Sequence, residues 1–478
     1  MITYLPTKIL ISDIDEKSLK SIHYSLSVWD KVRFKYKFTA YFYDEENQEV
    51  ILPGGYNRLK LEEILYDHNH IDRTSINYSH RRRNKVIKLK YDPRDDLQER
   101  AIEFLKKDYS QKFLCLNTGD GKTYCTIAYL TKKRTIPMIF IDLDILCQQW
   151  KNSILKFTDV KEDEIYIISG NKSIDSLMNM SSDKLAKYKF FICFYKTINT
   201  IINDNKLEGF FKYLDIGTKV YDEAHTNYEA IFKIDCITNC ESVYLTATPH
   251  RSDPIEDKVF QNMFHSVKKF FSNSNSEKYH NVNVINIDSK PSEADRLACT
   301  NKYGFNLIAY SNYILEKKYD YFYDKVINTI LLGVILKNGK KNRKTAILFS
   351  LKSLMNKFAY DLVENLNNKG LDYKIGLLSE DTKKDDKEEV LSSDIIITTD
   401  KSFGKGIDVS NLECVICVVP TSSEVKATQM LGRLREVPDR EVYYFDIVDN
   451  GFQKIKNQTY KKMKVYREKA KSLHTFNL

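Results

Sequence analysis

Leu116-Asn-Thr-Gly-Asp-Gly-Lys-Thr123 decides how the rest of the chain is read. A short apolar run, Phe113 to Leu116, precedes it, and a helix-compatible run, Tyr124 to Leu130, follows. Strand, Gly-rich turn and helix in that order are the setting in which a phosphate-binding loop has physical meaning. Gly119 and Gly121 let backbone N–H groups converge on one concavity that can cradle phosphate oxygens. Asn117, Thr118 and Asp120 complete the loop, Lys122 offers a point charge to the outer phosphates, and Thr123 offers a hydroxyl to a metal. Leu116 stands where the usual motif has its first glycine, so the loop alone is a moderate signal.

The second signal is Val220-Tyr-Asp-Glu-Ala-His225, at the end of another apolar strand candidate. Two adjacent carboxylates at a strand terminus suit nucleotide hydrolysis: Asp222 can hold magnesium through its water shell, and Glu223 can orient or deprotonate the attacking water. An isolated Asp-Glu pair is usually surface. Behind a phosphate loop that bland reading loses.

Around these two stretches the apolar runs alternate with helical patterns. Strand candidates are Phe113–Leu116, Met138–Ile141, Ile165–Ile168, Phe190–Phe194, Lys219–Tyr221 and Val243–Leu245. A second series runs Ala346–Phe349, Tyr373–Leu378, Ile395–Thr399, Cys414–Val419 and Val442–Val448. Such alternation predicts parallel sheets covered on both faces. Residues 1–90 carry shorter strand patterns, turn signals at Pro53-Gly-Gly55 and a helix near Lys60 to Tyr66. The expected division is 1–90 as a small N-terminal α+β accessory domain, 91–255 and 341–450 as two α/β domains, 256–340 as a partly helical connection, and 451–478 as a basic C-terminal helix.

A chain of 478 residues has room for two or three domains. Its longest apolar run, near Ile330 to Leu336, is too short to span a bilayer, and no signal peptide is read after Met1. The net charge of +9 favours an anionic partner. The excess gathers in His80–Arg83 with Lys85, Lys88 and Lys90, and in Lys454 to Lys471 with Tyr460 and Tyr466. Cys414 and Cys417 lie inside an apolar strand, and Cys236 and Cys240 lack a second pair at zinc-site spacing. All nine cysteines are therefore expected to be reduced structural thiols in a cytoplasm-like compartment.

The order of further motifs resembles superfamily 2 helicases and translocases of the Asp-Glu-Ala-His type over roughly residues 90–450. Arg94-Asp-Asp-Leu-Gln98 resembles the adenine-recognising glutamine motif. Leu146-Cys-Gln-Gln-Trp150 resembles the first nucleic-acid-contacting motif, and Phe194-Tyr-Lys-Thr-Ile198 the segment ahead of the acidic box. Leu245-Thr-Ala-Thr-Pro249 with Arg251 and Asp253 is similar to the motif that couples hydrolysis to movement. Ile347-Leu-Phe-Ser350, Thr399 with Gly404-Lys-Gly-Ile-Asp408, and Gln429-Met-Leu-Gly-Arg-Leu-Arg435 resemble motifs IV, V and VI. The strings Leu-x-x-Gln-Trp and Thr-Ala-Thr-Pro-x-Arg-x-Asp are most similar to the DNA-directed, UvsW-like and XPB-like branch.

The resemblance implies two RecA-like domains in tandem, with ATP and Mg2+ as cofactors and a nucleic-acid-stimulated ATPase that drives movement along DNA or its unwinding. It implies catalytic roles for Lys122, Glu223, Arg433 and Arg435, with Thr123 and Asp222 as metal ligands. It assigns nucleotide contacts to Gln98, Asn117, Thr118, Gly119, Asp120, Gly121, Gly406, Asp408 and Gln429, and coupling to His225, Thr246 and Thr248. Gln149, Arg251, Ser350 and Thr399 are its nucleic-acid contacts, DNA ahead of RNA, while Trp150 is read as a packing residue. A double-strand translocase without strand separation and an RNA helicase are the alternatives. The family match and compact size point to a phage or other virus, with a replication or transcription protein as a further partner and no membrane. Two departures stand out. Leu434 alone separates Arg433 from Arg435, so which arginine reaches the γ-phosphate is open, and Asp120 adds negative charge to the phosphate loop.

Overall fold

Each strand candidate named above forms a strand. The computed structural model describes the chain outside residues 31–32, 77–85, 118, 204–205, 252, 273–277, 302–303, 336–342, 383, 405–408, 421–423, 435 and 438–439. It divides into two units, Met1–Asn273 and Ser274–Leu478.

In the first unit seven parallel strands lie in the order Ile165–Ile168, Phe190–Phe194, Ile136–Ile141, Ile216–Tyr221, Glu241–Thr246, Gln111–Cys115 and Lys268–Phe271. Side chains alternate across this sheet, as a strand's period of two requires. Leu114, Ile139, Val220 and Val243 pack on one face with the helices Lys122–Lys133 and Asp144–Phe157. Phe113, Phe140, Tyr221 and Tyr244 pack on the other, in one continuous core with Ile2, Ile9, Ile22, Val50 and Leu61 of the N-terminal segment.

That segment contains a five-stranded mixed sheet, ordered Phe42–Asp44, Glu49–Pro53, Lys8–Ser12, Ile2–Tyr4 and His70–Asp72, with the hairpin Ser27–Asp30/Lys35–Thr39. This segment shares a core with the first sheet, because strands of three to five residues cover too little apolar area alone. Thr7 Oγ1 lies 2.7 Å from both Asp235 O and Thr238 O, and Phe42 stacks on Phe232 at 4.8 Å. A Cβ on Gly55 would come within 2.4 Å of Val267, so only glycine admits this approach.

The second unit repeats the plan with seven parallel strands, ordered Ile375–Leu378, Ile395–Thr399, Thr345–Phe349, Cys414–Cys417, Val442–Asp449, His280–Ile287 and Ala470–Asn477. The expected fold class, two RecA-like parallel sheets with an N-terminal α+β element, is borne out. Two details differ from expectation. The segment 256–340 contributes Lys268–Phe271 to the first sheet and His280–Ile287 to the second. The tail is helical only over Gln453–Lys469 and then turns into the strand Ala470–Asn477. That strand lies at a sheet edge and is largely exposed, so it needs no apolar run to declare itself. Within the helix, Lys462 and Tyr466 are buried against Asp446 at 2.6 and 3.0 Å, while Lys454, Lys456, Lys461 and Lys464 are exposed. All nine cysteines are buried and unbonded to one another. No described helix is long and apolar enough to cross a membrane.

Candidate functional site

The phosphate-loop residues emerge from the strand Gln111–Cys115 and lead into the helix Lys122–Lys133. Gly119 and Gly121 both have positive φ, 95° and 90°, a conformation open to glycine at no steric cost. A Cβ on Gly121 would also meet Gln98 Nε2 at 2.2 Å. Gln98 is buried, accepts the Arg94 backbone N–H at 2.9 Å and donates to Asp120 O at 3.2 Å, so the glutamine motif rests directly on the loop. The Asp120 carboxylate, unexplained by the sequence, accepts the Asn117 backbone N–H at 3.0 Å and ties the loop across its own turn. Lys122 Nζ donates to Leu116 O at 2.9 Å and to Asn117 O at 3.3 Å. Lost solvation lowers its pKa, opposed by the charges of Glu223, Asp222 and Asp120. Thr123 is half-buried at the first turn of the helix.

Asp222 and Glu223 follow the strand Ile216–Tyr221. Glu223 sits at φ 47°, a region uncommon for a residue with a side chain and a mark of local strain at functional sites. Asp222 Oδ1 accepts the Glu223 N–H at 3.0 Å, and Oδ2 accepts the Trp150 indole N–H at 2.8 Å. Burial and the Glu223 charge raise the Asp222 pKa; the Trp150 bond and Lys122 draw it back down. Glu223 Oε2 is buried with no hydrogen-bond partner among the described residues and lies 3.4 Å from His225 Nδ1.

His225 is buried, and desolvation, then Arg251 and Lys122, lower its pKa to about 4, so it is neutral near pH 7. Its Nδ1 lies 2.9 Å from Thr246 Oγ1, and that hydroxyl is also bonded to the Thr248 backbone at 2.9 and 3.0 Å. The three residues expected to couple hydrolysis to movement thus form one contiguous set. Arg251, expected to touch nucleic acid, turns inward in this unit. Its Nη1 donates to His225 O at 2.6 Å, its Nη2 pairs with Glu256, and its guanidinium lies 4.8 Å from the Tyr228 ring centroid. Glu256 also binds Lys37, which links the N-terminal hairpin to the acidic-box loop.

Gln149 is half-buried on the helix Asp144–Phe157. In the second unit Ser350 Oγ bonds Ser311 Oγ, and buried Thr399 Oγ1 donates to Ser402 Oγ at 2.9 Å. Gln429 lies on the helix Glu424–Leu431, with Arg433 half-buried just after it. Thr118, Gly406, Asp408, Arg435 and the His80–Lys85 cluster lie outside the described residues.

These residues fit a nucleoside triphosphate with its divalent cation. Two left-handed glycines open a loop at a helix N-terminus, a lysine sits within it, and a carboxylate oxygen with no hydrogen-bond partner among the described residues lies two strands away in the same sheet. No group of three or more His, Cys, Asp or Glu gathers into a metal site among the described residues. A cation held by Thr123 and Asp222 alone is what magnesium bound to phosphates and water requires. The Trp150 bond to Asp222 and the inward turn of Arg251 left no sequence signal, since both depend on where separate loops meet.

Comparison with known proteins shows what the chain is similar to. Residues 90–251 match the family model ResIII, described as "Type III restriction enzyme, res subunit". The chain is 25% identical over 412 residues to "Putative helicase 161L" of Invertebrate iridescent virus 6, a span of 82% of this chain and 84% of that protein. It is 29% identical over 152 residues to "DNA 3'-5' helicase XPB" of Kineococcus radiotolerans, covering 30% of this chain and 24% of that one. The solved structure of the ATP-dependent Type ISP restriction-modification enzyme LlaBIII bound to DNA aligns with a TM-score of 0.56 at 16% identity, over 86% of this chain and 34% of that one, a likeness of fold. The resemblance to superfamily 2 helicases and translocases, including their XPB-like branch, is borne out by these matches.

Proposed function

We propose that the chain is an ATP-dependent DNA helicase or translocase. One observation carries this reading: the first unit gathers the phosphate loop, the Asp222–Glu223 pair and the Thr246–Thr248 segment at the carboxyl ends of adjacent parallel strands, where open α/β sheets bind ligands. The loop Asn117–Gly121 and the Lys122 ammonium bind the phosphates, and Gln98 supports the base end of the site. Thr123 and Asp222 hold Mg2+, which when bound screens phosphate charge. Glu223 takes the proton from the attacking water. Arg433 and Arg435 are the second unit's candidates to stabilise charge on the γ-phosphate, with Gly406, Asp408 and Gln429 as its nucleotide contacts. Gln149, Ser350 and Thr399 are the proposed nucleic-acid contacts, and the inward-turned Arg251 joins His225, Thr246 and Thr248 in relaying the state of the nucleotide within the first unit. DNA is preferred because the XPB relative is named a DNA helicase.

The test is ATP hydrolysis measured without nucleic acid and with single-stranded, duplex and forked DNA and RNA. Stimulation by DNA is the expected result; equal rates throughout would refute the motor reading, and stimulation by RNA alone would move the substrate. Strand displacement set beside triplex displacement separates a helicase from a translocase that leaves strands paired. Glu223→Gln should lower turnover by about 10²–10⁴-fold with nucleotide affinity retained, as removal of a general base does.

A further inference from the structure

We propose that Trp150 is a positioning residue for the metal-side carboxylate and the physical link between the nucleic-acid helix and the nucleotide site. This deepens the reading above and rests on it. The indole is 1% exposed, in the core with Leu146, Ile154 and Ile139, and its N–H donates to Asp222 Oδ2 at 2.8 Å. The other Asp222 oxygen accepts the Glu223 backbone N–H at 3.0 Å, so each carboxylate oxygen has a donor from the protein. An indole N–H can only donate and cannot rotate independently of its ring. Once the ring is packed, the bond fixes the direction in which Asp222 points. The ring itself is carried on the helix Asp144–Phe157, one residue beyond Gln149. A shift of that helix when Gln149 meets a nucleic-acid strand therefore moves the donor that orients Asp222. Packing alone needs only an aromatic ring; the hydrogen bond needs tryptophan.

Trp150→Phe separates the two roles, because it keeps most of the ring and removes the N–H. Magnesium is titrated against binding of a fluorescent, non-hydrolysable ATP analogue, so that turnover is not the readout. The variant should need about tenfold or more Mg2+ for half-maximal binding, the size of effect seen when an outer partner of a metal ligand is removed. Its stimulation by single-stranded DNA should fall below that of the natural protein. The chain has two tryptophans, so Trp29→Phe leaves Trp150 as the sole emitter in an otherwise intact site. Its emission should change when Mg2+ and the analogue are added together, and again when single-stranded DNA is added. An unchanged magnesium midpoint and unchanged stimulation in Trp150→Phe, or silent emission in Trp29→Phe, overturns the inference while the ATPase reading stands. Should Trp150→Phe not fold, the emission of Trp29→Phe decides alone. If the natural protein neither binds the analogue nor responds to nucleic acid, the functional reading itself fails.

Discussion

The two seven-stranded sheets share one topology and differ in their loops. Numbered along the chain within each unit, both run 3-4-2-5-6-1-7. After the first strand, one unit has the Gly119–Lys122 loop, open and lined with donors. The other has Ser289, whose N–H and hydroxyl both donate to buried Asp449 at 3.1 and 2.6 Å, closing the same topological position. The strand order alone therefore does not make a nucleotide site; the residues at the strand ends do.

Several substitutions would break or sharpen that contrast. The largest effect belongs to Arg433→Ala, which should cut DNA-stimulated hydrolysis by about 10³–10⁵-fold with nucleotide binding retained, if the second unit supplies an arginine finger. A near-normal rate would shift that role to Arg435 or deny it to this unit. Lys462→Met should lower stability by about 3–5 kcal/mol in denaturant unfolding, because it leaves the buried Asp446 carboxylate without its cation. A smaller loss would mean that the Tyr466 hydroxyl and the rest of the site satisfy Asp446 without the cation.

In the first unit the corresponding lever is pH. The buried His225 has a pKa lowered from 6.5 to about 4, so between these values the unfolded chain binds the proton that the folded chain refuses. Its stabilising contribution is complete above pH 6.5 and is lost as pH falls toward 4, by up to ~3 kcal/mol. Melting curves of His225→Gln should lose this part of the pH dependence, and parallel profiles for the two proteins would contradict it. The smallest effect is expected from Ser289→Ala, about 1–2 kcal/mol of stability for the hydroxyl's bonds to Asp449 and Tyr313 and no change in nucleotide affinity. A weakened affinity would mean that the second unit's closed position does bind nucleotide.

Much of this was legible in advance, for a particular reason. Strands buried on both faces, such as Ile136–Ile141 and Ile395–Thr399, are continuous apolar runs and announce themselves. Gly119, Gly121, Lys122, Asp222 and Glu223 are residue types that chemistry demands at fixed places beside those runs. The edge strand Ala470–Asn477 was not legible, since its pairing with His280–Ile287 lies far along the chain and one of its flanks has no strand partner among the described residues. Asp120 looked anomalous as a charge in a phosphate loop, and only the Asn117 N–H, brought round by the turn, gives it a partner.

From the amino-acid order alone came the two parallel sheets, the resemblance to superfamily 2 helicases and the residues of the nucleotide loop, because burial period and catalytic chemistry are local constraints. Tertiary structure alone decided that the first 65 residues share the core of the first seven-stranded sheet, that Arg251 faces His225, and that Trp150 holds Asp222. Those are contacts between segments distant along the chain, and no local pattern of charge or hydrophobicity encodes which distant hydrogen-bond donor a folded carboxylate will meet.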